Sequence, residues 1–210
     1  HAYDKERIAM LIRMPQVREL VVRGSGSIQG GTLRAADGMD LSVLGSGDIQ
    51  IAHVPHVVEI HVLVEGSGTV ELGSLGSSDR LATTTLGSGS ITVGKAEVKD
   101  ELQVTVQGSG DVHCGMMNVA GTARVELLGS GDAQVGGRAD RIDVLLTGSG
   151  DVHANDLHIE HGGTAQVIGS GDVHVQDAAS LEIIITGSGE IHTSGGAATK
   201  GSRGVETGTE

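Results

Sequence analysis

The stretch LQVTVQGSGDVHC, residues 102–114, decides the fold of this chain. From Leu102 to Cys114, every even position holds an apolar residue or glycine, and every odd position holds a polar residue. A period of two is typical of a β-strand with one buried face. The alternation continues through Gly-Ser-Gly, so we expect both glycines to face inward and the serine outward. Glycine is needed there because the inside has no room for a side chain or because φ is positive, and the sequence does not separate these causes.

The tripeptide recurs along the chain. It begins at residues 24, 45, 66, 87, 108, 129, 148, 169 and 187, so the first six copies are 21 residues apart and the later intervals are 19, 21 and 18. A fixed period near 20 residues indicates a solenoid. We therefore predict an all-β, single-stranded parallel β-solenoid (β-helix) with three sides and about nine coils of about 21 residues. The glycines expected at its structural corners include Gly108, Gly110, Gly129, Gly131, Gly169 and Gly171.

The ends of the chain differ from its middle. Residues 1–194 are expected to form the solenoid, with a capping strand at about residues 5–14, because an open solenoid end is an unpaired strand edge. Residues 195–210 have no alternation and are rich in glycine, which predicts a flexible tail.

The composition narrows the functional classes. The chain has 35 glycines among 210 residues, no Trp or Phe, and a net charge of −13 without a basic block. This charge disfavours nucleic acid as a partner, and no apolar run is long enough to insert this segment into a membrane. The single cysteine, Cys114, has inward parity and is expected to be a buried structural thiol, with Met116 and Met117 filling a corner beside it.

The opening MPQVRELVVRGSGSI, residues 14–28, is followed by repeated coils of the form LxVxVxGSGDVxV. This pattern resembles the bacterial putative auto-transporter adhesin, head GIN domain family, over about residues 10–194. The resemblance implies a β-solenoid exported to the bacterial cell envelope, periplasmic or extracellular, with a signal peptide removed before residue 1. It supplies no catalytic residues.

Residues one period apart stack as columns in a solenoid, so a site is sought in columns. An acidic column after the tripeptide and a histidine column beside it give what we call the acidic–histidine ladder: Asp151, His153, Asp172, His174, Glu190 and His192. One interpretation is that each carboxylate accepts backbone N–H bonds at the corner and that the acids raise the histidine pKa values, so the patch gains positive charge between about pH 7 and pH 5.5. The other is a divalent-metal site, the only cofactor that we consider.

A second pattern lies on the strand before the tripeptide. Nearly every coil carries one outward aliphatic residue there, alternately one and three residues before the glycine. We call this set the aliphatic stripe: Leu44, Leu63, Leu86, Leu128, Leu145, Ile168 and Ile184. A row of this length predicts a contact surface, either for another copy of the chain or for another envelope or surface protein. Coverage by a chain terminus, or β-propensity alone, would also account for these residues.

These patterns favour a non-catalytic structural or adhesion module that acts through an extended solenoid face and forms a homo-oligomer. One alternative is a carbohydrate-binding or carbohydrate-active β-helix, because carboxylates are abundant, but the chain lacks long loops and aromatic platforms. Metal binding through the ladder is the other alternative. An ice-binding array is disfavoured because no threonine column continues beyond residues 83–85.

Overall fold

The computed structural model describes residues 16–35, 37–176, 178–194 and 198–202, the last range by its backbone alone. All regular elements in these ranges are β-strands. They are β1 (Glu19–Gly24), β2 (Ser27–Thr32), β3 (Gly38–Gly45), β4 (Asp48–Val54), β5 (Glu59–Gly66), β6 (Thr69–Gly87), β7 (Ser90–Gly108), β8 (Asp111–Gly129), β9 (Ala133–Gly148), β10 (Val152–Ala154), β11 (Leu157–Gly169), β12 (Val173–Gln176), β13 (Ser180–Gly187), β14 (Ile191–Ser194) and β15 (Ala198–Ser202).

The strands pair in parallel, each with the strand one period away, and form a single sheet that winds into a solenoid of about eight turns. The nine Gly-Ser-Gly copies stack in one column, from Gly24 opposite Gly45 to Gly169 opposite Gly187. The predicted parallel β-solenoid is therefore confirmed, and the 21-residue period is the coil itself.

Each coil has three sides. Between β7 and β8 the paired residues fall into three runs, which begin at Ser90, Lys95 and Glu101. The residues between these runs, among them Gly94, have no partner in the register and mark corners. The third run ends at Gly108, so the tripeptide turns the chain into the next coil.

Two segments of the chain were expected to differ from the solenoid. The capping strand expected at about residues 5–14 lies outside the described residues. Within the segment 195–210, Ala198–Ser202 forms β15 and pairs in parallel with β13. Five residues for which we expected no regular structure therefore lie on the sheet.

Aliphatic side chains fill the interior in flat layers. The column two residues before each tripeptide is fully buried through most of the stack, for example at Val43, Val64, Val106 and Leu127. Because these side chains are stacked coil on coil, the core needs no aromatic residue to span it.

In the copy at residues 108–110, close approach of the neighbouring coil requires both glycines of the tripeptide, and backbone conformation requires the first as well. Gly108 has φ +122°, a backbone conformation that other residues rarely adopt, and it is half-buried. Gly110 is buried, and a Cβ atom there would lie 2.6 Å from the Thr85 Cγ2 atom and closer still to the Gly89 carbonyl oxygen. A Cβ atom at Gly108 would also collide with the Gly87 carbonyl oxygen. Both causes considered from the sequence therefore apply at Gly108, close approach of the coils alone applies at Gly110, and only Gly110 lies fully inside.

Candidate functional site

The acidic column of the ladder is held by backbone hydrogen bonds. The Asp172 N–H donates to Asp151 Oδ1 at 2.9 Å, and the Glu190 N–H donates to Asp172 Oδ1 at 2.9 Å. The same bond joins Asp132 to Asp111, and Asp151 to Asp132, at 3.1 Å. The expectation that these carboxylates accept corner N–H groups is thus confirmed for Asp111, Asp132, Asp151 and Asp172. Each bond links one coil to the next and offsets repulsion between neighbouring carboxylates.

The histidines of the ladder form a stack of rings. His153 pairs with His174, and His174 with His192, in the registers of β10, β12 and β14. Their ring centroids are 5.3 Å and 4.6 Å apart, with interplanar angles of 21° and 11°. The His192 Nε2 atom also lies 3.3 Å from Glu190 Oε2.

This stack changes the expected protonation of its central ring. Burial lowers the pKa of His174 below its ordinary value of 6.5, and positive charge on His192 and His153 lowers it further. Asp172 and Asp151 act in the opposite direction but are weaker. The expectation that the acids raise the histidine pKa is therefore wrong for His174, because desolvation and two like-charged neighbours outweigh the carboxylates.

The ladder does not gather three metal-ligating atoms at one point, because residues on a straight column point in parallel. Among the described residues, one group has three such atoms within 4.8 Å of one another: Asp140, Glu160 and His161, which we call the bulge cluster. Metal binding by Asp151, His153, Asp172, His174, Glu190 and His192 stays a prediction.

The bulge cluster lies where the register of β9 and β11 shifts. Ile159 pairs with Ala139, but Gly162 pairs with Arg141, so Glu160 and His161 together face the single residue Asp140. Our sequence interpretation missed this group because it followed only the columns next to the tripeptide. The available signal was the 19-residue interval before residue 148, which makes one coil shorter than the 21-residue coil that follows it.

The aliphatic stripe lies on one side of the solenoid. Each stripe residue has a polar neighbour in the adjacent coil, as Leu86 has Glu65 and Gln107. Ile168 and Ile184 are 38% and 37% exposed, and Leu44, Leu63, Leu86, Leu128 and Leu145 are half-buried. Whether this face contacts another molecule stays a prediction.

Open grooves run over the surface. One of about 380 Å³ crosses the stripe face beside Leu145 and Ile184, and Arg124, Asp143 and Glu182 are among the residues that line it. A second, of about 510 Å³, lies on the side that follows the tripeptide and is lined by glycines, polar residues and the apolar residues Ile51, Ala52 and Leu72 of the first coils. There the Gln50 Nε2–H donates to Glu71 Oε2 at 2.8 Å.

The neighbouring sulfur-containing residues Cys114, Met116 and Met117 have different environments. Cys114 is fully buried, as expected, and burial raises the pKa of its thiol to about 12, which keeps it protonated and unreactive. Met117 is buried, but Met116 is 68% exposed. The expectation that both methionines fill a corner is wrong for Met116, because the alternation shifts by one residue at the corner after Cys114, so Met117 and Val119 face inward and Met116 faces outward.

Comparison with known proteins assigns this chain to a family. Within the described residues no helix is long and apolar enough to cross a membrane. Neither the curated proteins nor the solved structures gave a match. The family described as "Putative auto-transporter adhesin, head GIN domain" matches residues 1–113 and again residues 87–197. These two overlapping matches reach from the first residue through the last tripeptide, so the chain belongs to this family.

Proposed function

We propose that this chain is a non-catalytic module of the bacterial cell envelope or surface, and that it binds further copies of itself through the stripe face. The single observation that carries this proposal is the coil-by-coil register of the stripe. Its aliphatic side chains stand in two adjacent columns on one flat side, and two of them are more than a third exposed. The family's description as an auto-transporter adhesin supports the surface location.

The stripe face is large enough for a stable contact. A strand such as β3 is eight residues long, or roughly 26 Å, and the nine strands that lead into a tripeptide, at about 4.8 Å each, extend roughly 43 Å. The face therefore covers roughly 1,100 Å², against about 800 Å² that a standard interface buries on each partner. Half-buried leucines at its centre supply apolar area, and the polar residues between them supply hydrogen-bonding groups.

Net charge sets the salt dependence of such an association. Each copy carries a charge of −13, so two copies repel one another at long range. Added salt screens this repulsion and leaves apolar contacts in place. Association through the stripe should therefore strengthen as ionic strength rises, whereas a contact made by ion pairs would weaken.

The test is the mass in solution of the wild-type chain and of the double variant Leu86→Asp/Leu128→Asp. We expect the wild type to sediment as more than the 21.3 kDa monomer and the variant to sediment as a monomer. A matched control is Thr92→Asp/Gln134→Asp, which also adds two negative charges. Leu86 and Leu128 directly precede the tripeptides that begin at residues 87 and 129, and Thr92 and Gln134 follow those tripeptides on another side of the coil.

The control should associate like the wild type. Circular dichroism of all three proteins checks that the fold is retained. A monomeric wild type at all salt concentrations would reject self-association, and equal loss in the control would assign the effect to charge and not to the stripe.

A further inference from the structure

We propose that the bulge cluster, Asp140, Glu160 and His161, is a binding site for a divalent transition-metal ion of the zinc type. This inference is independent of the function proposed above, because the cluster lies at the corner before the stripe face and shares no residue with that face.

The three donor atoms of the bulge cluster lie close together, unlike donor atoms on the straight columns. On the straight columns of this solenoid, side chains one coil apart point in parallel, and a small ion cannot touch three of them. A β-bulge sets two residues of one strand against one residue of its neighbour and re-aims their side chains. Here the bulge sets Glu160 and His161 against Asp140, and one donor atom from each lies within 4.8 Å of the other two.

The backbone fixes this arrangement. Gly162 follows the two bulged residues with φ +99°, and a Cβ atom there would collide with the Ser180 carbonyl oxygen of the next coil. Because glycine is required at this position, the register shift and the direction of the two preceding side chains belong to the folded coil.

The donor set selects the type of ion. An imidazole nitrogen with two carboxylates is a ligand set that zinc and its first-row neighbours accept in proteins, with the remaining position open to water or to a further ligand. Calcium and magnesium prefer oxygen ligands alone. The His161 Nδ1 atom contacts Asp140 Oδ1 at 2.5 Å, so the two groups are already neighbours, and an ion would replace the proton between them and move the two atoms apart.

Charge around the cluster is balanced, and the site is open to solvent. Arg138 lies 3.6 Å from Glu160, and Arg141 lies 3.9 Å from Asp140, both longer than a hydrogen bond. A doubly charged ion can displace such loose pairs, although their presence reduces its affinity. The side chains of His161, Glu160 and Asp140 are 63%, 44% and 34% exposed, so an ion can reach them without opening the fold.

The experiment titrates Zn²⁺ into the metal-free full chain by calorimetry, with Ca²⁺ as the comparison ion. We expect one Zn²⁺ per chain and at least about tenfold weaker binding of Ca²⁺. His161→Ala and Asp140→Asn should each weaken Zn²⁺ binding by more than about tenfold, at least the effect of losing an outer-sphere partner. Bound Co²⁺ should show visible absorption bands that His161→Ala changes.

Two matched control variants test where the ion binds. His158→Ala removes an exposed histidine three residues before His161 on the same strand, and His174→Ala removes the centre of the ladder. Both should bind Zn²⁺ like the wild type. Binding that survives His161→Ala, binding lost with His174→Ala, or no Zn²⁺ binding by the wild type would each overturn the proposal.

Discussion

Replacing Gly110 by alanine should destabilise the middle of the solenoid more than any single change on its surface. A Cβ atom at this position would lie 2.6 Å from the Thr85 Cγ2 atom and even closer to the Gly89 carbonyl oxygen. Contacts below 3.0 Å are essentially never made by real Cβ atoms. The oxygen belongs to the backbone, so no side-chain rotation relieves the contact, and two coils must move apart.

The magnitude follows from what this movement breaks. Overpacking a close-packed core costs about 1–3 kcal/mol. The Asp111 N–H donates to the same Gly89 oxygen at 3.1 Å, and losing this bond costs about 1 kcal/mol more. We therefore expect a loss of about 3 kcal/mol, or a fall of roughly 6–12 °C in melting temperature for a chain of this length.

Thermal unfolding followed by circular dichroism, with urea unfolding as a second measurement, tests this expectation. The matched control is Gly38→Ala, where the nearest heavy atom to the added Cβ would be the Glu59 carbonyl oxygen at 3.8 Å, an ordinary contact. Alanine there should be neutral or should stabilise by up to about 1 kcal/mol, since it restricts the unfolded chain. If both variants melt within about 3 °C of the wild type, coil contact is not what requires Gly110.

Three further expectations follow from side chains in the stack. Thr85 is fully buried between Val64 and Val106, and its hydroxyl has no hydrogen-bond partner. Thr85→Val should therefore raise the free energy of unfolding, measured in urea, by about 1 kcal/mol. Thr83→Val should raise it less, because the Thr83 hydroxyl donates to the Gln103 carbonyl oxygen at 3.4 Å. Asp151→Ala removes the acceptor of the Asp172 N–H and should speed hydrogen exchange of that amide, and Asp151→Asn, which keeps an acceptor oxygen, should have a smaller effect; equal exchange in all three proteins would refute the role of the carboxylate. Folding lowers the pKa of His174, so the contribution of neutral His174 to stability is complete above the ordinary pKa of 6.5 and is lost as pH falls through the lower pKa of the folded state. His174→Gln should therefore show a shallower fall in melting temperature between about pH 7 and pH 5 than the wild type.

The fold could be predicted from the sequence almost completely, because its signal is local and repeated. A period of two identifies the buried face at Leu102, Val104 and Val106, and all three are fully buried. Repetition every 21 residues then fixes which residues are neighbours in adjacent coils. The site could be predicted only in part. The predicted columns through His174 and Asp172 are present in the structure. The spacing of residues in the sequence does not predict the ring stacking or the desolvation that lower the pKa of His174.

The sequence by itself determined the solenoid, its corners and the columns on its surface, because parity and period are properties of a strand and its repeat. Only the tertiary structure decided that the first glycine is required by its backbone angle as well as by the coil beneath it and the second by the coil alone, since that depends on how closely two coils approach. It also decided that Asp140 faces both Glu160 and His161. That encounter arises because a short coil lies against a longer one, and the extra residue has to bulge from the stack.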